Sequence, residues 1–185
     1  MTLRYSRQTL DIEGNRTLVN YTPRERRARL AWAIGRLVFR AIPRPFFSLR
    51  AAWLRLFGAR IGAQCQIYPT VRIFLPSLLD IGAWSAIGDH VNLYNLASIR
   101  IGERVTISQG AHLCGGTHDF RDPRMPLVRA TITVGDEAWL CADCFIGPAV
   151  SVGARAVIGA RAVAMRDVAP GAIMAGNPAK QVGTR

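Results

Sequence analysis

The chain has 185 residues and a mass of 20.3 kDa, which is enough for one sizeable hydrophobic core and short for two. Half of its residues are apolar and only 19% are charged, which excludes a disordered or fibrous protein. The longest strongly apolar run, 30–42, contains Arg36 and Arg40 and is too short to span a bilayer. A net charge of +12 at pH 7 suggests a phosphate-bearing partner, whether nucleic acid, anionic lipid or a phosphorylated cofactor.

The charge lies at the amino-terminal end. Residues 1–60 contain 13 arginines against Asp11, Glu13 and Glu25, a local balance of about +10, whereas residues 61–185 carry about +2. A fold that binds nucleic acid is expected to spread basic groups along its main body and to expose aromatics beside them. The distribution therefore argues against nucleic acid as a partner.

We expect a cytoplasmic protein with reduced thiols. Residues 1–22 lack the basic start, apolar run and cleavage site of a secretory signal. The four cysteines are too few and too unevenly placed for a disulfide framework, and Cys141 and Cys144 are expected to pack in the fold rather than to bind metal.

The segment 1–60 is predicted to be a basic extension containing an amphipathic helix. Apolar residues at helical spacing between Pro23 and Ile42 alternate with arginines, and Pro43 ends the helix. Two roles remain open: the helix covers the open end of the following fold, or it binds anionic lipid peripherally at the inner face of the membrane.

From residue 61 to residue 180 an aliphatic residue, often followed by Gly, recurs every six positions. The interior positions, three per turn, are Ile61, Ile67, Ile73, Ile81, Ile87, Leu93, Ile101, Ile107, Leu113, Val134, Leu140, Ile146, Val152, Ile158 and Ala164. The fourth residue after each of them is small or Val, as a crowded corner requires, and Gly permits special backbone angles or close approach. This pattern predicts a three-sided parallel β-helix of about five turns, followed by a tail at 181–185.

One long insertion interrupts the repeat. The step from Ile101 to Val134 leaves about 15 extra residues across 115–133, and they include Thr117, His118, Asp119 and Phe120. Long loops in a regular scaffold are where function is expected.

The repeat resembles the hexapeptide-repeat transferases, which fold as left-handed parallel β-helices. The segments 107–119, 138–140, 146–148 and 175–180 resemble their acetyl-CoA-dependent O-acetyltransferase branch. More narrowly, Phe57–Gly62 together with Thr117–Asp119 resembles the colanic acid biosynthesis acetyltransferases, which modify exopolysaccharide sugars. The resemblance implies a homotrimer with active sites between subunits that transfers acetyl from acetyl-CoA to a sugar hydroxyl, free or lipid-linked.

Acetyl transfer to a hydroxyl needs a base that removes the hydroxyl proton. His118 suits that task because imidazole exchanges a proton near neutral pH. By resemblance His118 is the catalytic base, and Asp119 orients its ring or stabilises the imidazolium. The resemblance carries coenzyme A contacts to Ala142, Ala160, Met165, Arg166 and Lys180. Only backbone contacts are expected at Ala142 and Met165, since hydroxyl side chains are missing there, while Arg166 and Lys180 can pair with phosphates. Trp139 is expected either to lie near the thioester of the coenzyme or to serve only in packing of the fold.

Asn92 and Asn95 are candidate acceptor-binding residues by resemblance, and an equally open alternative is that Asn tolerates left-handed corner geometry. Two alternative functions remain open beside acetyl transfer to an exopolysaccharide sugar. One is an acetyltransferase for a small soluble sugar or amino acid. The other is a zinc-dependent carbonic anhydrase of the same fold, suggested by His90, His112 and His118. The six-residue spacing of His112 and His118 argues against zinc, because the resembling anhydrases space two ligands by five, so no metal is expected.

Overall fold

The inward aliphatic residues of the repeat stack into a three-sided parallel β-helix behind three amino-terminal helices. A computed structural model describes residues 9–185, so Arg4 and Arg7 of the predicted basic extension lie outside the described residues. The helices are α1 (Ile12–Thr17), α2 (Pro23–Ala41) and α3 (Phe47–Leu56). The helix predicted from Pro23 to Ile42 is α2, which begins in a Thr22–Glu25 capping box.

The strands form three faces, called A, B and C. Face A contains β1 (Arg60–Ile61), β4 (Leu79–Ile81), β7 (Ile99–Ile101), β12 (Ile132–Val134) and β15 (Ser151–Val152). Face B contains β2 (Gln66–Ile67), β5 (Ala86–Ile87), β8 (Thr106–Ile107), β13 (Trp139–Leu140), β16 (Val157–Ile158), β18 (Ala172–Ala175) and β19 (Lys180–Thr184). Face C contains β3 (Arg72–Ile73), β6 (Asn92–Tyr94), β9 (His112–Cys114), β14 (Phe145–Ile146) and β17 (Val163–Ala164).

Neighbouring coils are in register, so equivalent residues lie directly above one another. Ile61 pairs with Ile81, Ile81 with Ile101, and Ile101 with Val134. All fifteen predicted interior positions are buried, and they form the core of the prism. Parallel strands of only two to four residues are thus held by a continuous column of aliphatic side chains.

The prism is one coil longer than the predicted five. Val168 bridges to Val152 on face A, and β18 pairs with β16 on face B. On face C, Val163 donates its N–H to Gly176 and accepts an N–H from Ala179. Residues 181–185, expected to be a tail, form most of β19, which pairs antiparallel with β18.

Three positions at each corner, the first, third and fourth residues after the interior aliphatic, meet different steric requirements. At ten of the fifteen corners the third residue after the interior aliphatic has positive φ, and only Gly110 among these ten is a glycine. The other nine are Gln64, Trp84, His90, Arg104, Glu137, Asp143, Ala149, Arg155 and Arg161. The glycine directly after the aliphatic serves close approach instead, since a Cβ at Gly82 would lie 2.5 Å from the carbonyl carbon of Gly102. The predicted small corner residues are buried except Ser77, Ala97 and Thr117, where loops interrupt the repeat.

The helices cover the open end of the prism, as one of the two predicted roles requires. Each strand of the first coil leaves a backbone carbonyl without a preceding coil to bond it. Arg55 donates to the carbonyl of Ile61, Arg50 to that of Ile67, and Trp32 to that of Ile73. The buried Arg50 also donates to the carbonyls of Ile42 and Pro43, and burial lowers the pKa of its guanidinium. One side chain per face thus satisfies an edge that would otherwise be exposed or unpaired.

The opposite side of α2 remains exposed. Trp32, Gly35 and Phe39 face the prism, whereas an apolar stripe faces outward. The stripe consists of Leu30, Ile34, Leu37 and Val38, whose exposed fractions are 70%, 67%, 63% and 44%. Within residues 9–185, no helix is both long enough and apolar enough to cross a bilayer.

We expect Trp32→Phe to lower the free energy of unfolding by about 1–3 kcal/mol, because the carbonyl of Ile73 loses its donor in a buried site. The matched control is Trp84→Phe, since Trp84 is 65% exposed and lies at a corner. Urea unfolding followed by far-ultraviolet circular dichroism measures both. Equal stability of the two variants would contradict the capping role of Trp32.

Candidate active site

The insertion at 115–133 forms a β-hairpin that projects from the prism after β9. Its strands are β10 (Gly116–His118) and β11 (Leu127–Arg129), and they pair antiparallel with His118 opposite Leu127. Gly115 donates its N–H to the carbonyl of Tyr94, so the hairpin begins on face C. The one long insertion in the repeat therefore places His118 outside the coils, on an exposed strand.

The imidazole of His118 is held by a backbone carbonyl. Its Nδ1 lies 2.6 Å from the carbonyl oxygen of Met125, across the hairpin. Because a carbonyl only accepts hydrogen bonds, Nδ1 must carry the ring proton. In the neutral imidazole Nε2 then has a free lone pair on an exposed side chain, which is what a general base needs.

The amino-terminal segment anchors this hairpin. The side-chain amide of Asn15 in α1 donates to the carbonyl of Met125 at 3.1 Å and also to that of Arg124. The backbone N–H of Asp11 donates to the carbonyl of Pro123 at 2.9 Å. The carbonyl that holds His118 is thus itself held by α1.

A second anchor joins β11 to the start of α2. Arg129 lies 2.5 Å from the carboxylate of Glu25 and donates to the carbonyl of Asn20. The pKa of Glu25 is lowered, first by the N–H of Thr22 and then by Arg129, so the carboxylate stays charged at neutral pH. The amino-terminal segment therefore fixes the loop at the tip of the hairpin and the strand β11.

Asp119 does not hold the ring of His118 as predicted, since Met125 makes that contact. Its carboxylate accepts the backbone N–H of Arg121 at 3.0 Å, and its own N–H donates to Pro126. These bonds shape the hairpin, so any influence of Asp119 on His118 acts through the loop. Sequence adjacency could not reveal this, because successive residues of a strand point in opposite directions.

The two candidate acceptor residues have different environments. Asn95 is fully buried, accepts the N–H groups of Phe74 and Leu75, and donates to the carbonyl of Leu75. The acceptor-binding role predicted for Asn95 is therefore wrong, because its side chain is used in joining two coils. Asn92 remains half-buried on the outer side of face C, where it lines a groove. Neither residue has the positive φ of a left-handed corner.

Three of the six candidate coenzyme residues meet at one pocket. Met165, Arg166 and Lys180 line a pocket of about 600 Å³ at the carboxyl-terminal end of the prism, beside β17 and β18. We call it the carboxyl-terminal pocket. Ala142 and Ala160 lie at equivalent corners of successive coils between faces B and C, and Arg161 donates its N–H to the carbonyl of Ala142. Trp139, on face B, is 46% exposed and donates from Nε1 to the hydroxyl of Ser108.

The remaining histidines and cysteines are dispersed. The Nε2 of His112 is buried without a hydrogen-bond partner, the ring lies between Tyr94 and Phe145, and burial lowers the pKa of this imidazole. His90 is exposed at a corner. Cys144 is buried at its corner, and burial raises the pKa of its thiol to about 12. Among residues 9–185, no three His, Cys, Asp or Glu side chains are grouped to hold a metal ion.

Face C brings the candidate groups onto one surface. Its outward side chains form a ladder in register: Arg72, Asn92, His112, Phe145 and Val163. The first end of this ladder borders a groove of about 540 Å³ beside α2, and its last end borders the carboxyl-terminal pocket. The hairpin with His118 leaves from the middle strand, β9. The two concave sites thus border opposite ends of the face from which the His118 hairpin leaves.

Neither Met125 nor Asn15 could be identified from the sequence, and the groove beside α2 could not be identified either. Met125 contributes only a carbonyl, which every residue type carries. Asn15 lies in a six-residue helix far from the repeat. The groove depends on how α2 docks, although its arginines were visible as a basic face of the predicted helix.

Comparison with known proteins supports the architecture. No family model matches the chain. A protein of Escherichia coli K12, described as a colanic acid biosynthesis acetyltransferase and named WcaF, is 37% identical over 153 residues, which is 83% of this chain and 84% of that protein.

Solved structures extend the likeness to the fold. A hexapeptide-repeat acetyltransferase of Vibrio cholerae, complexed with acetyl coenzyme A, has a TM-score of 0.80 at 22% identity, covering 90% of this chain and 92% of that one. A galactoside acetyltransferase in complex with coenzyme A has a TM-score of 0.81 at 19% identity, covering 94% of this chain and 88% of that one. The three-sided prism is therefore the left-handed β-helix that the family resemblance implied. With its repeat, its hairpin and its likeness to WcaF over most of both chains, this protein belongs to the hexapeptide-repeat acetyltransferases.

Proposed function

We propose that the chain transfers acetyl from acetyl-CoA to a hydroxyl of an exopolysaccharide precursor, with His118 as the general base. The observation that carries this proposal is the contact between Nδ1 of His118 and the Met125 carbonyl, which leaves Nε2 free to accept a proton. Family membership supports the reaction class. The E. coli relative, described by its part in colanic acid biosynthesis, supports a saccharide acceptor.

The proposed mechanism assigns His118 two proton transfers. Nε2 takes the proton of the acceptor hydroxyl as that oxygen attacks the thioester carbon, and later returns it to the departing coenzyme A sulfur. While Nε2 holds the proton, the ring is a cation. The Met125 carbonyl then accepts a hydrogen bond from a charged donor and stabilises that state.

We assign the coenzyme to the carboxyl-terminal pocket. Arg166 and Lys180 line this pocket together with the apolar Met165 and Met174. Cationic side chains suit the phosphates of coenzyme A, and the apolar wall suits its pantetheine arm. The acetyl-CoA and coenzyme A complexes of the structural relatives support the use of this co-substrate. Trp139, Ala142 and Ala160 lie outside this pocket, so their coenzyme contacts would need a groove between protomers of a homotrimer.

We further propose that α2 binds an anionic membrane surface while also covering the prism. Its apolar stripe is exposed, and Arg27 and Arg40 lie among the exposed residues of the same helix. Apolar side chains bordered by arginines suit the headgroup region of an anionic bilayer. This arrangement would place the enzyme where lipid-linked saccharides are assembled.

Replacing His118 with Ala should lower kcat by about 10²- to 10⁴-fold, because the base is lost. Release of coenzyme A with a saccharide acceptor measures the rate, and mass spectrometry identifies the acetylated product. His90→Ala is the matched control, since His90 is exposed at a corner far from the hairpin in sequence. Thermal unfolding should be unchanged in both variants. Retention of normal turnover by His118→Ala would refute the assignment of the base.

The stripe is tested by flotation with vesicles of phosphatidylglycerol and phosphatidylcholine. Ile34→Glu should reduce binding at least tenfold, because a charge enters the apolar face that would be buried in lipid. Val182→Glu makes the same change at a residue 65% exposed at the other end of the prism and should bind as the wild type does. Equal binding by both variants would count against the membrane contact.

A further inference from the structure

The groove beside α2 is lined by four arginines. Arg26, Arg29 and Arg36 come from α2 and Arg72 from β3, and together with neutral residues they enclose about 540 Å³. We call this the arginine groove. Among the residues that line it there is no Asp or Glu. Its most prominent chemical property is therefore positive charge in a concave site.

The helical spacing explains why the arginines converge. Residues 26, 29 and 36, with Ala33 between, form a row at spacings of three and seven along one flank of α2. That flank lies between the buried Trp32 and the exposed apolar stripe. Trp32 fixes the helix against the prism by donating to the carbonyl of Ile73, next to Arg72. The row therefore faces the outer ladder of face C.

The four guanidiniums have no acidic partner among the ion pairs of residues 9–185. Neighbouring guanidinium charges repel one another, and in proteins a carboxylate or a bound anion usually offsets this repulsion. Residues 1–8 contain no Asp or Glu either. An anion from outside the chain is thus the complement that this groove lacks.

Part of the groove is already ordered for binding. The guanidinium of Arg29 stacks on Tyr21 at 4.2 Å and on Phe74 at 4.6 Å from the ring centroids. Stacking fixes the guanidinium plane and reduces the entropy lost when it binds a phosphate. Asn92 and Tyr94 line the same groove and add neutral polar groups suited to hydroxyls.

The groove adjoins the hairpin of His118. Tyr94, on its wall, pairs with Cys114 in β9, and Gly115 bonds to the carbonyl of Tyr94. From Gly115 to His118 is three residues, about 10 Å of extended chain. On the helix side, Tyr21 carries Arg29 on its ring and also Arg129, which lies opposite Gly116 in the hairpin. A ligand held by the arginines could therefore extend toward His118.

We propose that the arginine groove binds the phosphate or diphosphate that links the saccharide acceptor to its carrier, with the sugar directed toward His118. This inference rests on the proposed function and specifies its substrate class as a phosphate-linked saccharide. Arg36 and Arg72 contact the phosphoryl oxygens, Arg29 is the ordered donor, and Asn92 contacts the sugar. The carrier is a lipid or a nucleoside, both of which present the same phosphoryl chemistry.

Binding is measured by isothermal titration with inorganic pyrophosphate, UDP-glucose and farnesyl diphosphate, and with methyl glucoside as a neutral probe. Wild-type protein should bind the three phosphates, less tightly as salt rises, and should bind methyl glucoside at least tenfold more weakly. Arg36→Gln and Arg72→Gln should each weaken phosphate binding about tenfold. Arg155→Gln, at an exposed corner, removes the same charge and should bind as the wild type does. Tighter binding of farnesyl diphosphate than of UDP-glucose identifies a lipid carrier, and the reverse identifies a nucleoside carrier.

Equal loss of phosphate binding in all three variants, or no loss in any of them, would overturn the arginine groove as the site. With a phosphate-linked acceptor, Arg72→Gln should raise the KM for acceptor and leave the KM for acetyl-CoA unchanged. The acetyltransferase assignment fails separately, if His118→Ala keeps full turnover. Arginine-dependent phosphate binding without any acetyl transfer would support the groove and reject the proposed function.

Discussion

Stacking of aliphatic side chains in register between coils is the interaction on which the rest of the molecule depends. Each strand is too short to be stable alone, so the column from Ile61 to Val152 must stay aligned for the prism to exist. The same alignment fixes the outward residues, because side chains alternate along a strand. The ladder from Arg72 to Val163 on face C is therefore a consequence of the core. A change of register would dismantle the candidate site and the interior together.

The prism has an open first end and one long insertion, the His118 hairpin. The proposed functions are located at these two features. The first coil leaves three carbonyls that Arg55, Arg50 and Trp32 satisfy, and this brings α2 and α3 against the prism. Docked there, α2 forms one wall of the arginine groove and anchors the hairpin through Glu25. The helices therefore link the stability of the open end to the position of His118.

The repeat carried enough information to predict the three faces, the interior positions and the place of the insertion, because side-chain periodicity directly reflects burial in this fold. The sixth coil could not be predicted from the repeat. On face C it is joined to the fifth coil by backbone hydrogen bonds of Gly176 and Ala179, and no aliphatic residue occupies the repeat position there. The acceptor-binding role predicted for Asn95 is wrong for a related reason. It lies 20 residues after Leu75, one coil away, and its amide replaces backbone bonds that a side-chain pattern does not encode. The partner of His118 is likewise a backbone carbonyl, so only the folded hairpin could identify it.

We propose that face C holds both substrates, one on each side of the His118 hairpin. A crystal structure of His118→Ala with coenzyme A and a diphosphate-linked saccharide would show where each substrate binds. We expect the coenzyme phosphates at Arg166 and Lys180, the acceptor phosphates at Arg36 and Arg72, and the sulfur and sugar meeting where the imidazole of His118 would lie. Coenzyme bound in the arginine groove, or acceptor bound on face A or face B, would refute this placement of the substrates.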